Sequence, residues 1–268
     1  MSEQLKIAVC LFGITRSLRY TLPSIESNVF APARNFGRVY LHGHFFNQRN
    51  IYNSRSDEIN IPVKSEHELI QFSSLVVEDP GSEQVTELER RLKNYGDHWD
   101  DGGASLRNIC HQLVSLSRVT SQALNAGCDV VAFCRPDLLY LDSFHNLFFE
   151  AAKSRGDEVF LPFWQCAHGG YNDRFAVCAG QKAIEAYGHR YHFAEDFCLT
   201  YRRPLHSELF LRSKLQAHEL KIVGVSQRAV RIRSTGAPAV EVFQRNWAKT
   251  RFSLLRLKIR AIVKGLRQ

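Results

Sequence analysis

The sequence predicts an α/β domain with a mostly parallel central sheet, and three observations lead to this prediction. Short apolar runs of strand length recur along the chain, and the run Val130 to Cys134 has no polar position, which is typical of a strand buried on both faces. These runs alternate with segments of helical periodicity. The 268 residues, 44% of them hydrophobic, are enough to build a substantial core.

The first half of the chain carries three predicted strands and three predicted helices. The strands span 6–12, 39–42 and 75–78, and the helices span 19–29, 83–94 and 105–126. Gly13 ends the first strand, and apolar residues at three- and four-residue steps define the third helix, which Gly127 ends from the position after the C-cap. The polar segment from Arg49 to His67 suits a surface loop.

The second half begins with the apolar run at 130–134, which stops at Arg135-Pro136-Asp137 because proline removes a backbone donor. Further strands are predicted at 158–163, 175–178 and 222–225, and helices at 142–154, 181–187, 197–201 and 207–218. Ligands of open α/β sheets bind at the carboxyl ends of the strands. The residues that follow each strand are therefore the candidates for a functional site.

The formal net charge of +8 is concentrated at the end of the chain. Eight Lys and Arg residues and no acidic residue lie between Arg245 and Gln268, so the remainder has a net charge of about zero. A broadly basic nucleic-acid-binding surface is therefore not expected. Residues 246–268 have the pattern of a basic amphipathic helix, which favours binding to an anionic membrane surface. A helix docked on the domain, or one used in self-association, has the same pattern.

We divide the chain into a domain at 1–240 and a basic amphipathic helical tail at 241–268. No apolar run approaches the roughly 20 residues that span a bilayer, and the first residues carry no signal-peptide pattern. Seven cysteines without Cys-x-x-Cys spacing indicate buried, reduced thiols. Together these features predict a cytoplasmic protein that is peripheral on the inner face of the membrane.

The first candidate site segment follows the first strand. A glycine turn before a helix places backbone N–H groups where an anion can bind, and arginines at 16 and 19 would add charge-assisted contacts. The glycine spacing is neither that of a dinucleotide fingerprint nor that of a P-loop. The predicted anion-binding residues of this segment are Gly13, Thr15, Arg16 and Arg19.

Two further clusters of polar residues accompany predicted strands. Arg135 and Asp137 end the central strand, although an ordinary charged turn would contain the same residues. Asn172, Asp173 and Arg174 follow two glycines and precede another strand, and a polar turn is again the alternative. Because both clusters are tied to buried strands, we expect them to share one site.

Several short motifs follow one another in a defined order. They are Leu-Phe-Gly-Ile-Thr-Arg-Ser after the first strand, Val-Tyr-Leu-His-Gly-His, Phe-Cys-Arg-Pro-Asp-Leu, Tyr-Asn-Asp-Arg-Phe-Ala, and Ala-Glu-Asp before a helix, and they cover about residues 5 to 215. In this order the chain resembles bacterial glycosyltransferases of the GT-A type, closest to those of lipopolysaccharide and capsular polysaccharide synthesis. The resemblance implies a single GT-A-like (Rossmann-like) domain that binds a nucleotide-sugar donor at the carboxyl edge of the sheet.

The resemblance bears on a metal ion. In such enzymes an Asp-x-Asp motif after a central strand holds a divalent metal on the diphosphate, whereas the matching position here reads Arg135-Pro136-Asp137. Arginine cannot ligate a metal but can neutralise a phosphate. Asp137 can still hold Mg²⁺ or Mn²⁺, which need only one or two protein carboxylates, so both metal-assisted and metal-independent donor binding stay open. The donor-binding residues implied are Gly13, Thr15, Arg16, Arg19, Arg135, Asp137, Asn172 and Arg174.

The resemblance also implies a general base and an acceptor. Glu195-Asp196 resembles the Glu-Asp pair that supplies the base in many inverting enzymes of this type, where a carboxylate takes the proton from the attacking hydroxyl. Asp173 is the second candidate base. The implied acceptor is a glycan or a lipid-linked glycan.

Two other functions fit the same residues. A nucleotidyltransferase on a related sheet is one of them, although its usual glycine-rich, lysine-containing first loop is absent from this sequence. The other is a non-catalytic, membrane-associated protein that binds nucleotides or sugars. The arginine at position 135, where the resemblance expects aspartate, keeps this second interpretation open.

Overall fold

The computed structural model describes residues 4–53, 58–62 and 65–245. Its strands are β1 (Lys6–Gly13), β2 (Arg38–Phe46), β3 (Asn50–Asn53), β4 (Glu58–Pro62), β5 (Ser74–Glu78), β6 (Val130–Cys134), β7 (Leu138–Tyr140), β8 (Glu158–Pro162), β9 (Ala176–Ala179), β10 (Lys221–Val225) and β11 (Ala229–Arg231). Its helices are α1 (Leu18–Ile25), α2 (Ala31–Arg34), α3 (Glu83–Lys93), α4 (Ala104–Asn125), α5 (His145–Lys153), α6 (Gln181–Gly188), α7 (Ala194–Tyr201) and α8 (Ser207–Ala217).

Seven strands form the central sheet, in the order β10-β8-β9-β6-β1-β2-β5. Every neighbouring pair is parallel except for β9, which runs antiparallel to both β6 and β8. The predicted α/β class with a mostly parallel central sheet is therefore confirmed. The central position of β6 agrees with its sequence, since all five of its residues are buried.

Helices cover both faces of this sheet. Successive side chains of a strand point to opposite faces, and in β1 both sets are apolar. Val9 and Leu11 pack in the core beneath α1 and α5, whereas Ala8 and Cys10 pack with residues of α4 and α6. A third apolar cluster joins α3, α4, α7 and α8 beyond the sheet. All seven cysteines lie in the described part of the chain, where they are buried, as predicted, and form no disulfide.

Two short antiparallel ribbons were absent from the predicted elements. The segment expected to be an irregular surface loop contains β3 and β4, which pair with one another and bury Ile51. The other ribbon joins β7 to β11 near the end of the described chain. Strands of three to five residues carry little periodicity of their own, so their pairing with distant partners determines them.

The domain continues beyond residue 240. The Phe243 ring packs against Trp164, with 4.9 Å between the ring centroids, and Trp164 also forms a β-bridge with Arg245. The predicted amphipathic helix at 246–268 lies outside the described residues. Among the residues that are described, no helix is long and apolar enough to span a bilayer.

Candidate ligand-binding cavity

A cavity of about 380 Å³ opens at the carboxyl ends of β1, β2 and β6. The first half of α4 forms part of its wall, through residues that include Ser105, Asn108 and Gln112. The predicted site residues that line this cavity are Gly13, Arg16, Arg135, Asp137, Asp173 and Arg174. The structure thus brings the three predicted clusters together at the sheet edge where α/β proteins bind ligands.

The turn after β1 directs Arg16 into the cavity. Gly13 has a φ of 106°, a backbone conformation that residues other than glycine rarely adopt. Its N–H donates to Ser115 Oγ at 2.8 Å. Thr15 is buried, and its hydroxyl oxygen accepts a hydrogen bond from the Glu66 N–H. Arg19 also pairs with Glu66, at 3.1 Å, and its side chain is 40% exposed. Thr15 and Arg19 were predicted to bind the donor, but neither lines the cavity.

Asp137 is held by two arginines. Arg135 donates from Nε to Asp137 Oδ1 at 2.9 Å and from Nη2 to Oδ2 at 2.8 Å, while Arg16 Nη2 donates to Oδ2 at 2.9 Å. Burial would raise the pKa of the Asp137 carboxyl, but the charges of Arg135 and Arg16 outweigh that effect and hold the pKa well below its usual range. Both carboxylate oxygens accept from guanidinium groups, so the surroundings of Asp137 do not suit a divalent cation.

The β7–β11 ribbon brings a further arginine to the cavity. Its register places Arg231 opposite Leu138, the residue that follows Asp137. The Ile232 N–H then donates to the Asp137 carbonyl at 2.8 Å, and the Ile232 carbonyl accepts from Ser17 Oγ at 3.0 Å. Residues after β1, β6 and β11 are therefore joined directly by hydrogen bonds. Arg231 lines the cavity but was not among the predicted site residues.

Guanidinium groups outnumber carboxylates in this part of the cavity. The group that we call the arginine cluster consists of Arg16, Arg135, Arg174, Arg231 and Arg233, with the carboxylates of Glu58, Asp137 and Glu241. Glu58 lies 3.4 Å from Arg16 and 3.6 Å from Arg233. Glu241 lies 2.6 Å from Arg174 but 3.9 Å from Arg231. The excess of positive charge favours an anionic ligand.

Unpartnered donors in the arginine cluster support the same conclusion. The Nε atoms of Arg174 and Arg231 are buried and have no hydrogen-bond partner among the described residues. Burial, together with the neighbouring charges of Arg135 and Arg174, lowers the pKa of Arg231 to about 10. A buried donor without a partner is costly. An anion that accepts from these groups would remove that cost.

The residues of the Asn172-Asp173-Arg174 segment have two different roles: one shapes the turn, and the others line the cavity. Asn172 is fully buried, donates from Nδ2 to the Trp164 carbonyl at 2.7 Å, and accepts from the Arg174 N–H at 3.0 Å. It therefore shapes the turn and does not line the cavity. Asp173 does line it, and its carboxylate accepts a long hydrogen bond of 3.4 Å from Gln112 Nε2.

Glu195 and Asp196, predicted as the first choice of general base, do not reach the cavity. They occupy the first turn of α7, where acidic residues are favourable partners of the helix dipole. Glu195 pairs with Arg91 of α3 at 2.9 Å. The structure therefore does not bring this pair together with the other predicted site residues, and Asp173 is the predicted base that does line the cavity.

Three histidines that the sequence analysis did not single out meet at the same cavity. His98 comes from the loop before α4, His168 from the turn after β8, and His206 from the residue before α8. We call these residues the histidine cluster, and two of them, His168 and His206, line the cavity. Burial, together with the neighbouring His98 and His168, lowers the pKa of His206 to about 3. No spacing signal marks them, because each comes from a different loop.

Comparisons with known proteins leave the family of this chain open. It matches none of the protein-family models and none of the curated protein sequences with which it was compared. Among solved structures, it is similar to mouse xyloside xylosyltransferase 1 in its apo form, with 14% identity over 83% of this chain and 86% of that chain and a TM-score of 0.42. A putative glucose-1-phosphate thymidylyltransferase from Bacillus anthracis, in complex with a sucrose, is 9% identical over 96% of this chain and 95% of that chain, with a TM-score of 0.36. At these scores, the function has to be argued from the residues of the cavity.

Proposed function

We propose that this protein is a glycosyltransferase that moves a sugar from a nucleotide-sugar donor to a hydroxyl group of an acceptor. The observation that carries the proposal is the arginine cluster, which surrounds a cavity at the carboxyl edge of the sheet with more guanidinium groups than carboxylates. One planar guanidinium group can donate two parallel hydrogen bonds to the oxygens of a phosphate. A diphosphate fits these donors better than a neutral sugar does.

The arginine cluster also suits the chemistry of sugar transfer. When the bond between the anomeric carbon and the diphosphate breaks, negative charge develops on the departing phosphate, and preorganised cations stabilise it. We assign this role to Arg16, Arg135 and Arg231, because all three line the cavity. We infer that Asp137 does not hold a metal ion for the donor, because both of its carboxylate oxygens accept hydrogen bonds from arginines.

Asp173 is the proposed general base. It lines the same cavity as the arginine cluster, and the one hydrogen bond that its side chain receives from the described residues, from Gln112, is long. A carboxylate in this position can accept the proton of an acceptor hydroxyl as its oxygen attacks the sugar. Replacement of Asp173 by Asn preserves the shape of the side chain but removes the base.

We further propose that the acceptor is a glycan or lipid-linked glycan of cell-surface polysaccharide synthesis, reached from the inner face of the membrane. The support for this part is the basic tail, since eight cations and no acid lie between Arg245 and Gln268. Each cation near an anionic surface contributes about 1 kcal/mol of attraction. Sedimentation with phosphatidylglycerol vesicles, in comparison with phosphatidylcholine vesicles, tests this part, and equal binding to both would contradict it.

The donor site is tested by thermal shift against a panel of nucleotide sugars, each with Mn²⁺ or with EDTA. A donor at about 100 times its dissociation constant stabilises the protein by about 2.7 kcal/mol. We expect one nucleotide family to raise the melting temperature equally in both arms. Arg16→Ala should remove the shift and Arg19→Ala should keep it, because Arg16 lines the cavity and Arg19 does not. The donor site would be refuted if no nucleotide raised the melting temperature.

A non-catalytic nucleotide- or sugar-binding protein is the second candidate, favoured by the position of Glu195 and Asp196 outside the cavity. Asp173→Asn separates the two functions. For a transferase we expect the turnover of the donor to fall by about 10²- to 10⁴-fold, the usual contribution of a general base, while donor affinity stays within threefold. A binding protein shows no turnover in either form. Asp196→Asn is the matched control and should leave turnover unchanged.

A further inference from the structure

The histidine cluster has a feature that donor binding by arginines does not explain. Its three imidazole rings approach one another nearly at right angles, with interplanar angles of 82° to 85°. Each of the three residues offers one ring nitrogen as a ligand, and these three nitrogens lie within 4.8 Å of one another. His206 is 5% exposed, and its Nδ1 atom is buried without a hydrogen-bond partner among the described residues. An imidazole nitrogen left in this condition requires a partner.

The spacing of the rings matches that of imidazoles around one metal ion. Tetrahedral zinc holds its nitrogen ligands at about 2.0 to 2.1 Å, which places the centres of two bound imidazole rings about 5.2 Å apart. The three ring centroids here are 4.7, 4.9 and 5.4 Å apart. The nitrogens around such an ion would be about 3.4 Å apart, so a bound ion would draw the nitrogens of the three rings closer together than the 4.8 Å within which they lie here.

We propose that His98, His168 and His206 bind a divalent transition-metal ion of the zinc class. Imidazole suits zinc and its neighbours, whereas magnesium, calcium and manganese prefer oxygen ligands. Three histidines leave a fourth position for water or a substrate oxygen, which is the arrangement of catalytic zinc sites. Because His168 and His206 line the cavity, this position would open towards the cavity. The inference is independent of the proposed donor, and it concerns residues other than Asp137.

The test measures metal binding directly. The full chain, purified without a polyhistidine tag and stripped with a chelator, is titrated with Zn²⁺, Co²⁺ or Mg²⁺ by calorimetry, and its bound metal is counted by mass spectrometry. We expect one Zn²⁺ per chain, no Mg²⁺, and a visible Co²⁺ spectrum typical of tetrahedral coordination. All seven cysteines are buried, so thiols do not compete in the folded protein.

Three variants make the test specific to the histidine cluster. His168 is exposed, so His168→Ala should fold normally and should weaken Zn²⁺ binding at least about 100-fold, since even partners of metal ligands contribute 10- to 100-fold. His206→Ala should have the same effect, and circular dichroism monitors the fold of both. His192 is exposed and lies outside the cluster, so His192→Ala should bind zinc as the wild type does. Failure of the wild type to bind zinc, or equal affinity in all variants, would overturn the proposal.

Discussion

Two arginine–aspartate pairs in this protein have nearly the same geometry in different surroundings. In the cavity, Arg135 donates from Nε and Nη2 to both oxygens of Asp137 at 2.9 and 2.8 Å. On the surface, Arg228 donates from the same two atoms to both oxygens of Asp142 at 2.9 Å. The Asp142 side chain is 33% exposed, whereas that of Asp137 is 5% exposed. Each carboxylate also receives a third bond, which comes from the Arg16 guanidinium in the case of Asp137 and from the Arg228 backbone N–H in the case of Asp142.

The difference shows what burial adds to an ion pair. At the surface, water solvates both partners, so the pair contributes little to stability or to recognition. In the cavity, several half-buried arginines share three buried carboxylates, and the positive charge that remains is only partly solvated. This excess of charge, and not the pair itself, makes the cavity a site for an anion.

The largest effect on stability is expected for Asp137→Asn. Removal of one partner from a buried ion pair costs about 3 to 5 kcal/mol, because the remaining charges are left uncompensated. Urea denaturation at neutral pH measures the loss relative to the wild type. A loss below 1 kcal/mol would show that the arginine cluster tolerates its charge without Asp137, and it would contradict the comparison.

The loss of stability in Asp137→Asn relative to the wild type should depend on pH. The pKa of Asp137 is depressed in the folded protein, so its contribution is complete above the unfolded value of about 3.9 and is lost as the pH falls further. The stability of the wild type should therefore approach that of Asp137→Asn below about pH 4, by up to about 1.4 kcal/mol per pH unit. Urea midpoints at pH 7, 4 and 3 measure the convergence. Parallel curves would assign the effect to packing.

The sequence was sufficient for the central sheet because each of its central strands carries its own signal. The runs that became β1 and β6 are apolar at consecutive positions, and the long helix α4 has a clear period. Neither β7 nor β11 has such a signal, since each has three residues and exists through pairing with the other. The antiparallel direction of β9 was equally inaccessible, because direction depends on the path of the chain between strands.

The candidate site was predicted in part, for the same reason. Arg135 and Asp137 follow a buried strand directly, so their position at the sheet edge could be inferred from local sequence. Arg231 reaches the cavity only through the β7–β11 ribbon, and His206 only through the packing of three loops. The Glu195-Asp196 pair shows the opposite case: a motif that matched the resemblance lies in the first turn of α7, outside the cavity, where Glu195 pairs with Arg91.

A smaller effect is expected for Arg231→Ala, which tests whether the excess charge binds the donor. A hydrogen bond to a charged group contributes about 1.5 to 3 kcal/mol, so the affinity for the stabilising nucleotide sugar should fall about 10- to 150-fold. Arg228→Ala is the matched control, three residues away in the chain and directed to the surface pair. Calorimetric titration of both variants measures the difference, and equal losses would argue against a donor site at the arginine cluster.

The smallest effect is expected for Asp142→Asn, which removes the surface pair. Exposed ion pairs typically contribute about 0.2 to 1 kcal/mol. Urea denaturation of this variant should therefore show a loss below about 1 kcal/mol, and 0.5 M salt should reduce it because ions screen exposed charges. The loss for Asp137→Asn should change less with salt, since that pair is buried. If the two variants lost equal stability and responded equally to salt, then bidentate geometry, and not burial, would determine the strength of the pair. The excess of arginine over carboxylate at the cavity would then no longer explain why an anion binds there.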